Sequence, residues 1–232
     1  LYQFMLKKLN NIGDSAIVCD FGDEVNLSIN KEVLQLFNFV KKQSKLEKVK
    51  GIVNCTPSYN KLIINFDLKK TNSKIVTNFI NSAQLIDLNS NQKKKEWKIP
   101  ICYDFEMDLT NMSKVLKIDK SEIIKIHSET IFFIYMVGFV PGHPFMGDLD
   151  PKIFLNRLKT PRVKVPAGSV GIVEKFCNIY PYQSPGGWNI IGRTPIKLFD
   201  NKNETNPCLL SPGDIVKFKP ISKKEFNKLN NE

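Results

Sequence analysis

Four proline–glycine clusters punctuate the second half of this 232-residue chain: Pro141-Gly142, Pro166-Ala167-Gly168, Pro185-Gly186-Gly187 and Pro212-Gly213-Asp214. Proline fixes φ and lacks a backbone donor, and glycine reaches left-handed conformations. Each cluster therefore forces a turn, and no long helix runs through it. Between the clusters lie short β-type runs at 131–138, 163–165, 170–173, 189–191, 196–199 and 215–219. Many short strands joined by such turns predict a closed or nearly closed β-barrel.

The first half has a different texture. Segments 15–21 and 24–29 read as a strand pair turning at Gly22-Asp23. Asn30 is placed as a helix N-cap, after which Val33, Leu36, Phe37 and Val40 recur at helical spacing. Short β-type runs at 51–54 and 61–66 flank Pro57-Ser58. A helix covers 73–83, a polar loop 89–95, and a strand at 98–103 closes the half. This order predicts an α+β N-terminal domain with helices on one face of a sheet. Leu109, Met112, Val115 and Leu116 then form one apolar stripe of a helical bridge. Asp119 with Glu122 predicts a capped start for a second bridge helix at 121–128. The expected division is an N-terminal domain over 1–128, bridge included, and a barrel domain over 129–232.

Composition narrows the function classes. The 34 basic and 23 acidic residues leave a formal charge of +11, carried mostly by dispersed lysine. The tight runs are Lys93–Lys95 and the looser segment 41–48, and neither is interleaved with aromatics as single-strand binders require. Nucleic acid is therefore set aside as a partner. The five cysteines are scattered with no Cys-x-x-Cys pair, and His127 and His143 are the only histidines, so no zinc site is expected. The apolar stretches are too short to span a bilayer and no secretion leader is read, so no membrane partner is expected. Reduced thiols fit a cytoplasmic location.

Three loops carry the candidate chemistry. In Gly138-Phe139-Val140-Pro141-Gly142-His143-Pro144, His143 is either presented as an acid, base or donor, or it belongs to a surface turn and bonds a neighbouring carbonyl. In Pro161-Arg162-Val163-Lys164-Val165-Pro166-Ala167-Gly168-Ser169, Arg162 could clamp a carboxylate or phosphate, with Gly168 and Ser169 completing an anion nest. The bland alternative is a hairpin with a solvated arginine. In Tyr180-Pro181-Tyr182-Gln183-Ser184-Pro185-Gly186-Gly187-Trp188 and the following Gly192-Arg193, the diglycine packs against a ring or a ligand and Arg193 is a second anion binder. The alternative there is a tight structural turn. The residues alone give an anion-friendly loop cluster and name no reaction.

The series 138–147, 165–171, 179–181 and 184–195, with the ending Leu209-Leu210-Ser211-Pro212-Gly213-Asp214, resembles the family of 5-oxoprolinase B subunits. That family is also called allophanate hydrolase subunit 1, and it includes a sporulation-kinase inhibitor. Gly13-Asp14-Ser15-Ala16, Pro57-Ser58-Tyr59 and His127-Ser128 fit the same pattern, so the likeness runs from about Gly13 to Phe226. The resemblance implies a cyclophilin-like β-barrel at the C-terminus and companion A and C subunits of the same complex. It implies activation of 5-oxoproline by ATP, with magnesium, for ring opening to glutamate. Under it His143, Arg162 and Arg193 would be catalytic, and Gly142, Gly168, Ser169, Ser184, Gly186, Gly187 and Trp188 would bind substrate or ATP. The family's inhibitor member implies an alternative, a regulatory protein that inhibits a sensor histidine kinase. The chain departs from the family pattern at His143, at Asp148, and over Phe176-Cys177-Asn178, where the family carries Gln and Thr.

Overall fold

The structure is a computed structural model that describes residues 6–45, 49–83 and 94–230. Packing divides the chain into two compact units, Leu1–Lys93 and Lys94–Glu232. The expected boundary at 128/129 is not where the packing divides. The strand Glu96–Ile101 belongs with the second unit because it pairs with Ile215–Pro220, far along the chain. The two bridge helices go with it.

The first unit runs β1 (Lys8–Ile12), β2 (Ala16–Asp20), α1 (Leu27–Lys45), β3 (Ile52–Pro57), β4 (Lys61–Phe66) and α2 (Ser73–Ala83). Its antiparallel sheet has the order β1-β2-β4-β3. The first hairpin turns at Gly13, with φ +58, and not at Gly22-Asp23. Segment 24–29 is not a strand but the entry to α1. Asn26 caps that helix, its Oδ1 accepting from the Ile29 N–H at 2.9 Å. Asn30, expected at the cap, lies inside the helix, where its amide donates to the Ser58 and Tyr59 carbonyls at 3.0 and 2.9 Å. The helical periodicity holds: Val33, Leu36 and Val40 are fully buried with Ile17, Leu62 and Ile64 of the sheet. Each such side chain contributes about 1.5–3 kcal/mol by leaving water. The polar loop expected at 89–95 and the run Lys93–Lys95 lie outside the described residues up to 93, as does 46–48 of the basic segment.

The second unit begins with β5 (Glu96–Ile101), α3 (Leu109–Leu116), α4 (Lys120–Glu129), β6 (Phe132–Val137) and β7 (Pro144–Gly147). It continues with β8 (Arg162–Val165), β9 (Ser169–Val173), β10 (Phe176–Ile179), β11 (Ser184–Gly186), β12 (Asn189–Arg193), β13 (Ile215–Pro220) and α5 (Lys223–Asn230). Seven strands form one sheet in the order β12-β9-β10-β7-β6-β13-β5. Its pairs are antiparallel except β13 with β5. Beyond the end of β5, Cys102 exchanges two backbone hydrogen bonds with Arg193 of β12, at 2.8 and 2.9 Å. These join the two outer strands, so the sheet is nearly closed. A Cβ at Gly192 would sit 2.9 Å from the Cys102 carbonyl oxygen, so this close approach needs glycine.

Inside the sheet lie Met146, Ile172, Cys177, Ile191, Val216 and Phe218, packed with Leu109 and Met112 of α3 and Ile123 of α4. Val115, assigned to the same stripe, is 61% exposed. Asp119 occupies the cap position of α4 but makes no side-chain capping bond. Segment 196–199 is not a strand and contributes one bridge, Phe199 to Cys208. Strands β7, β10 and β11 had no expectation of their own. A separate ribbon pairs β8 with β11, Val165 opposite Ser184 and Arg162 opposite Gly186. No helix among the described residues is long and apolar enough to cross a membrane.

Candidate functional site

Side chains alternate along β10, so its two faces separate cleanly. Cys177 and Ile179 enter the core of the sheet. Asn178 and Tyr180 face the other way, where Val165, Ile190 and Trp188 pack around Tyr180. Phe145 of β7 and Gly171 of β9 stand opposite Asn178 in register. A Cβ at Gly171 would meet Asn178 Oδ1 at 2.8 Å and Trp188 Cβ at 2.9 Å, so the missing side chain makes room for both.

Tyr180 is the hub of this face. Its ring centroid is 5.4 Å from that of His143. A Cβ at Gly186 would fall 2.3 Å from its phenol oxygen. Its backbone N–H donates to Ser169 at 2.9 Å, and its carbonyl accepts from the Gly168 N–H at 2.8 Å. Burial pushes the phenol's pKa up, opposed by hydrogen bonds from the Asn178 side chain and the Trp188 backbone and by the charges of Arg157 and Arg162.

His143 is neither presented nor bonded to a neighbouring carbonyl through its ring. It is 4% exposed and stacks on Phe145 with centroids 4.6 Å apart. Its Nε2 is buried with no hydrogen-bond partner among the described residues. Burial lowers its pKa to about 4, so the ring is neutral near pH 7. The prolines on either side of the Gly142-His143 step do not expose it, because the turn folds back and the Gly138 N–H donates to the His143 carbonyl at 3.0 Å.

Arg162 is not free to clamp an anion on its own. Its Nη2 is ion-paired with Asp108, whose other oxygen accepts from the Ile190 N–H at 2.6 Å. Its Nη1 reaches the Trp188 carbonyl at 3.5 Å. Arg193 lies over two rings, 4.9 Å from the Phe105 centroid and 5.5 Å from that of Phe226. It also donates to the Ala167 carbonyl at 3.2 Å, and burial lowers its pKa from the usual value.

The remaining candidates have mixed placements. Gly168 has φ +78, and a Cβ there would fall 2.2 Å from the Thr194 carbonyl oxygen. Ser169 is fully buried, its Oγ without a partner among the described residues. Trp188 meets Phe145 edge to face at 6.1 Å. Gly187 is open by comparison, its nearest neighbours being Arg157 and Pro161 at 3.6 Å. The Ser184 hydroxyl donates to the Pro185 carbonyl at 3.3 Å. Gly142 packs on the 198–199 segment, where a Cβ would meet Phe199 at 2.7 Å. His143, Gly168, Ser169, Gly186 and Trp188 thus converge on Tyr180, and Arg162 joins through Trp188. Gly142 packs on the 198–199 segment and Ser184 lies opposite Val165, while Arg193 sits at the closure of the sheet.

Sequence reasoning missed Asp108, Arg157 and Tyr180, and marked Asn178 only as part of a departure from the family pattern. Tyr180 stood inside a motif already singled out, but nothing marked Asp108, which lies 54 positions from Arg162. It also missed a buried set inside the sheet. The Tyr103 hydroxyl is 2.8 Å from His127 Nδ1, and Cys177 Sγ is 3.6 Å from Nε2. Burial lowers the His127 pKa to about 3 and raises the Cys177 thiol well above its usual value. Both groups are therefore held neutral, the reverse of what a thiolate nucleophile needs. Among the described residues, no group of three or more His, Cys, Asp and Glu could hold a metal ion.

Comparison with known proteins bears on the whole chain. The family model described as carboxyltransferase domain, subdomain C and D, matches residues 7–210. The chain is 32% identical to the 5-oxoprolinase B subunit of Bacillus subtilis over 238 residues, covering 97% of each chain. It is 35% identical to the 5-oxoprolinase B subunit of Haemophilus influenzae over 209 residues, covering 89% of this chain and 94% of the other. Among solved structures, that of TTHA0988 superposes with a TM-score of 0.79 at 27% identity. The likeness takes in 90% of this chain but 40% of the TTHA0988 chain.

Proposed function

This chain belongs to the carboxyltransferase domain, subdomain C and D, family, and from that premise we propose that it is one subunit of an ATP-dependent 5-oxoprolinase complex. The observation that carries the reading is the end-to-end match with a relative named as the B subunit of 5-oxoprolinase, over 97% of both chains. The complex would open 5-oxoproline to glutamate together with companion A and C subunits. Its reaction consumes ATP and water and releases ADP and phosphate. ATP supplies the phosphoryl group that makes an otherwise unreactive lactam carbonyl electrophilic.

The chemistry of this chain's residues limits its share. A triphosphate needs several free cations or a cradle of backbone N–H groups. Here Arg162 is committed to Asp108, and Arg193 to two rings and a carbonyl. These two candidate arginines do not by themselves fit a polyphosphate with its magnesium, and the reading leaves both to the assembled complex. What the Tyr180 face supports is the holding of a small polar molecule against aromatic walls. The kinase-inhibitor alternative gains no support from the two relatives described, both named as enzyme subunits.

The test is ATP hydrolysis dependent on 5-oxoproline, measured with the chain alone and with its A and C companions. Turnover only in the full mixture is the expected result. Absence of turnover in a mixture whose chains are folded and associated would overturn the reading.

A further inference from the structure

The chain contains three arginines, and the structure treats them differently. Arg162 is neutralised by Asp108. Arg193 is wedged between Phe105 and Phe226. Arg157 alone of the three makes no ion pair or hydrogen bond with any described residue, and it is exposed. Its guanidinium nevertheless has a defined place. Nε and Nη2 lie 3.6 Å from the point where a Gly187 side chain would begin. The segment that carries it is tied down there, because the Leu158 N–H donates to the Gly187 carbonyl at 2.8 Å. Its charge works against the upward shift that burial gives the Tyr180 phenol.

We propose that Arg157 is the carboxylate-binding residue of this site, holding one small carboxylate over the Gly186-Gly187 backbone beside the Tyr180 hydroxyl. A planar guanidinium presents paired N–H donors that match a carboxylate. A diglycine lets the ligand approach the backbone where any side chain would stand in the way. At Gly186 that side chain would strike Tyr180, so the close packing beneath the site depends on glycine as well. The ligand class is therefore a small carboxylic acid. This rests on the reading of the chain as part of a 5-oxoprolinase and refines which residue recognises the substrate's carboxylate.

The experiment is an NMR titration of this chain alone, following the Gly187 amide and the Trp188 indole resonances. The probes are 5-oxoproline, its counterpart without a carboxylate, 2-pyrrolidinone, and acetate. The expected result is saturable shifts with 5-oxoproline, weakened at least tenfold by Arg157→Gln and partly restored by Arg157→Lys. The 2-pyrrolidinone response should be the same in wild type and Arg157→Gln. Equal titrations of wild type and Arg157→Gln with both 5-oxoproline and acetate would overturn the proposal, and so would the absence of any carboxylate-dependent shift in the wild type. Arg157-dependent shifts with acetate but none with 5-oxoproline would uphold the carboxylate site and remove 5-oxoproline as its ligand. No turnover enters this assay, so it stands or fails separately from the test of the complex.

Discussion

Asp108 and Arg162 form an ion pair across 54 residues of chain, and the same carboxylate holds the Ile190 backbone N–H at 2.6 Å. One side chain thereby ties the start of α3 to both β8 and β12. It also explains why an arginine that looks anion-binding in sequence is occupied in the fold.

Removing that carboxylate leaves a guanidinium and a backbone donor without their acceptor. Asp108→Ala is expected to cost about 3 kcal/mol of folding stability, read as a lower urea midpoint. Adding Arg162→Ala should cost much less than it does alone, because the partner is already gone. Strictly additive effects would show that the pair is not coupled.

The diglycine separates into two unlike positions. Gly186→Ala drives a methyl group into the Tyr180 hydroxyl at 2.3 Å and should destabilise the chain by more than about 1 kcal/mol. Gly187→Ala meets nothing closer than 3.6 Å and should leave the thermal midpoint nearly unchanged. Equal effects at both positions would contradict the packing of the ribbon on Tyr180.

Stability should fall on mild acidification. His143 and His127 are held at about 4 and about 3, below their ordinary 6.5. The unfolded chain therefore takes up more protons as pH drops below 6.5. Stability is full above that point and is lost on the way down to the folded-state values. At pH 5 the loss is about 2 kcal/mol for each histidine. Urea unfolding of His143→Phe at pH 8 and pH 5 should show about half the wild-type pH dependence. An unchanged dependence would mean that the ring is not buried neutral.

Arg193→Ala should loosen α5. The guanidinium lies over Phe105 and Phe226, which meet each other at 4.8 Å. Phe226 is the buried residue of α5. The expected cost is about 1 kcal/mol, with faster amide exchange across Lys223–Asn230 than in the wild type. Exchange confined to its wild-type rate would show that the rings hold the helix unaided.

The barrel was legible because its turns are written in proline and glycine, and a residue such as Gly168 with φ +78 has few alternatives. The helix through Val33 and Val40 was legible for the same local reason, an uninterrupted period. The mistakes came where a side chain answers to a distant partner. Asn30 has the chemistry of a cap and is used to bind Ser58 and Tyr59 instead. The strand beginning at Glu96 looks like the end of the first half until its partner at Ile215 is known. The candidate site follows the same rule. Its glycines could be found locally, whereas the pairing of Arg162 with Asp108 and the freedom of Arg157 depend on tertiary contacts.

The parallel pairing of β5 with β13 has a consequence for synthesis on the ribosome. Residues 96–101 emerge early, yet the strand they must join, Ile215–Pro220, is translated more than a hundred residues later. The sheet of the first unit has all four of its strands by Phe66 and can assemble while translation continues. The second unit cannot complete its sheet until its last strand is made. Meanwhile β5 has an unpaired edge, which is the form in which strands recruit the wrong neighbours. A nascent chain halted before Ile215 would therefore carry a finished first unit and an open, association-prone second one.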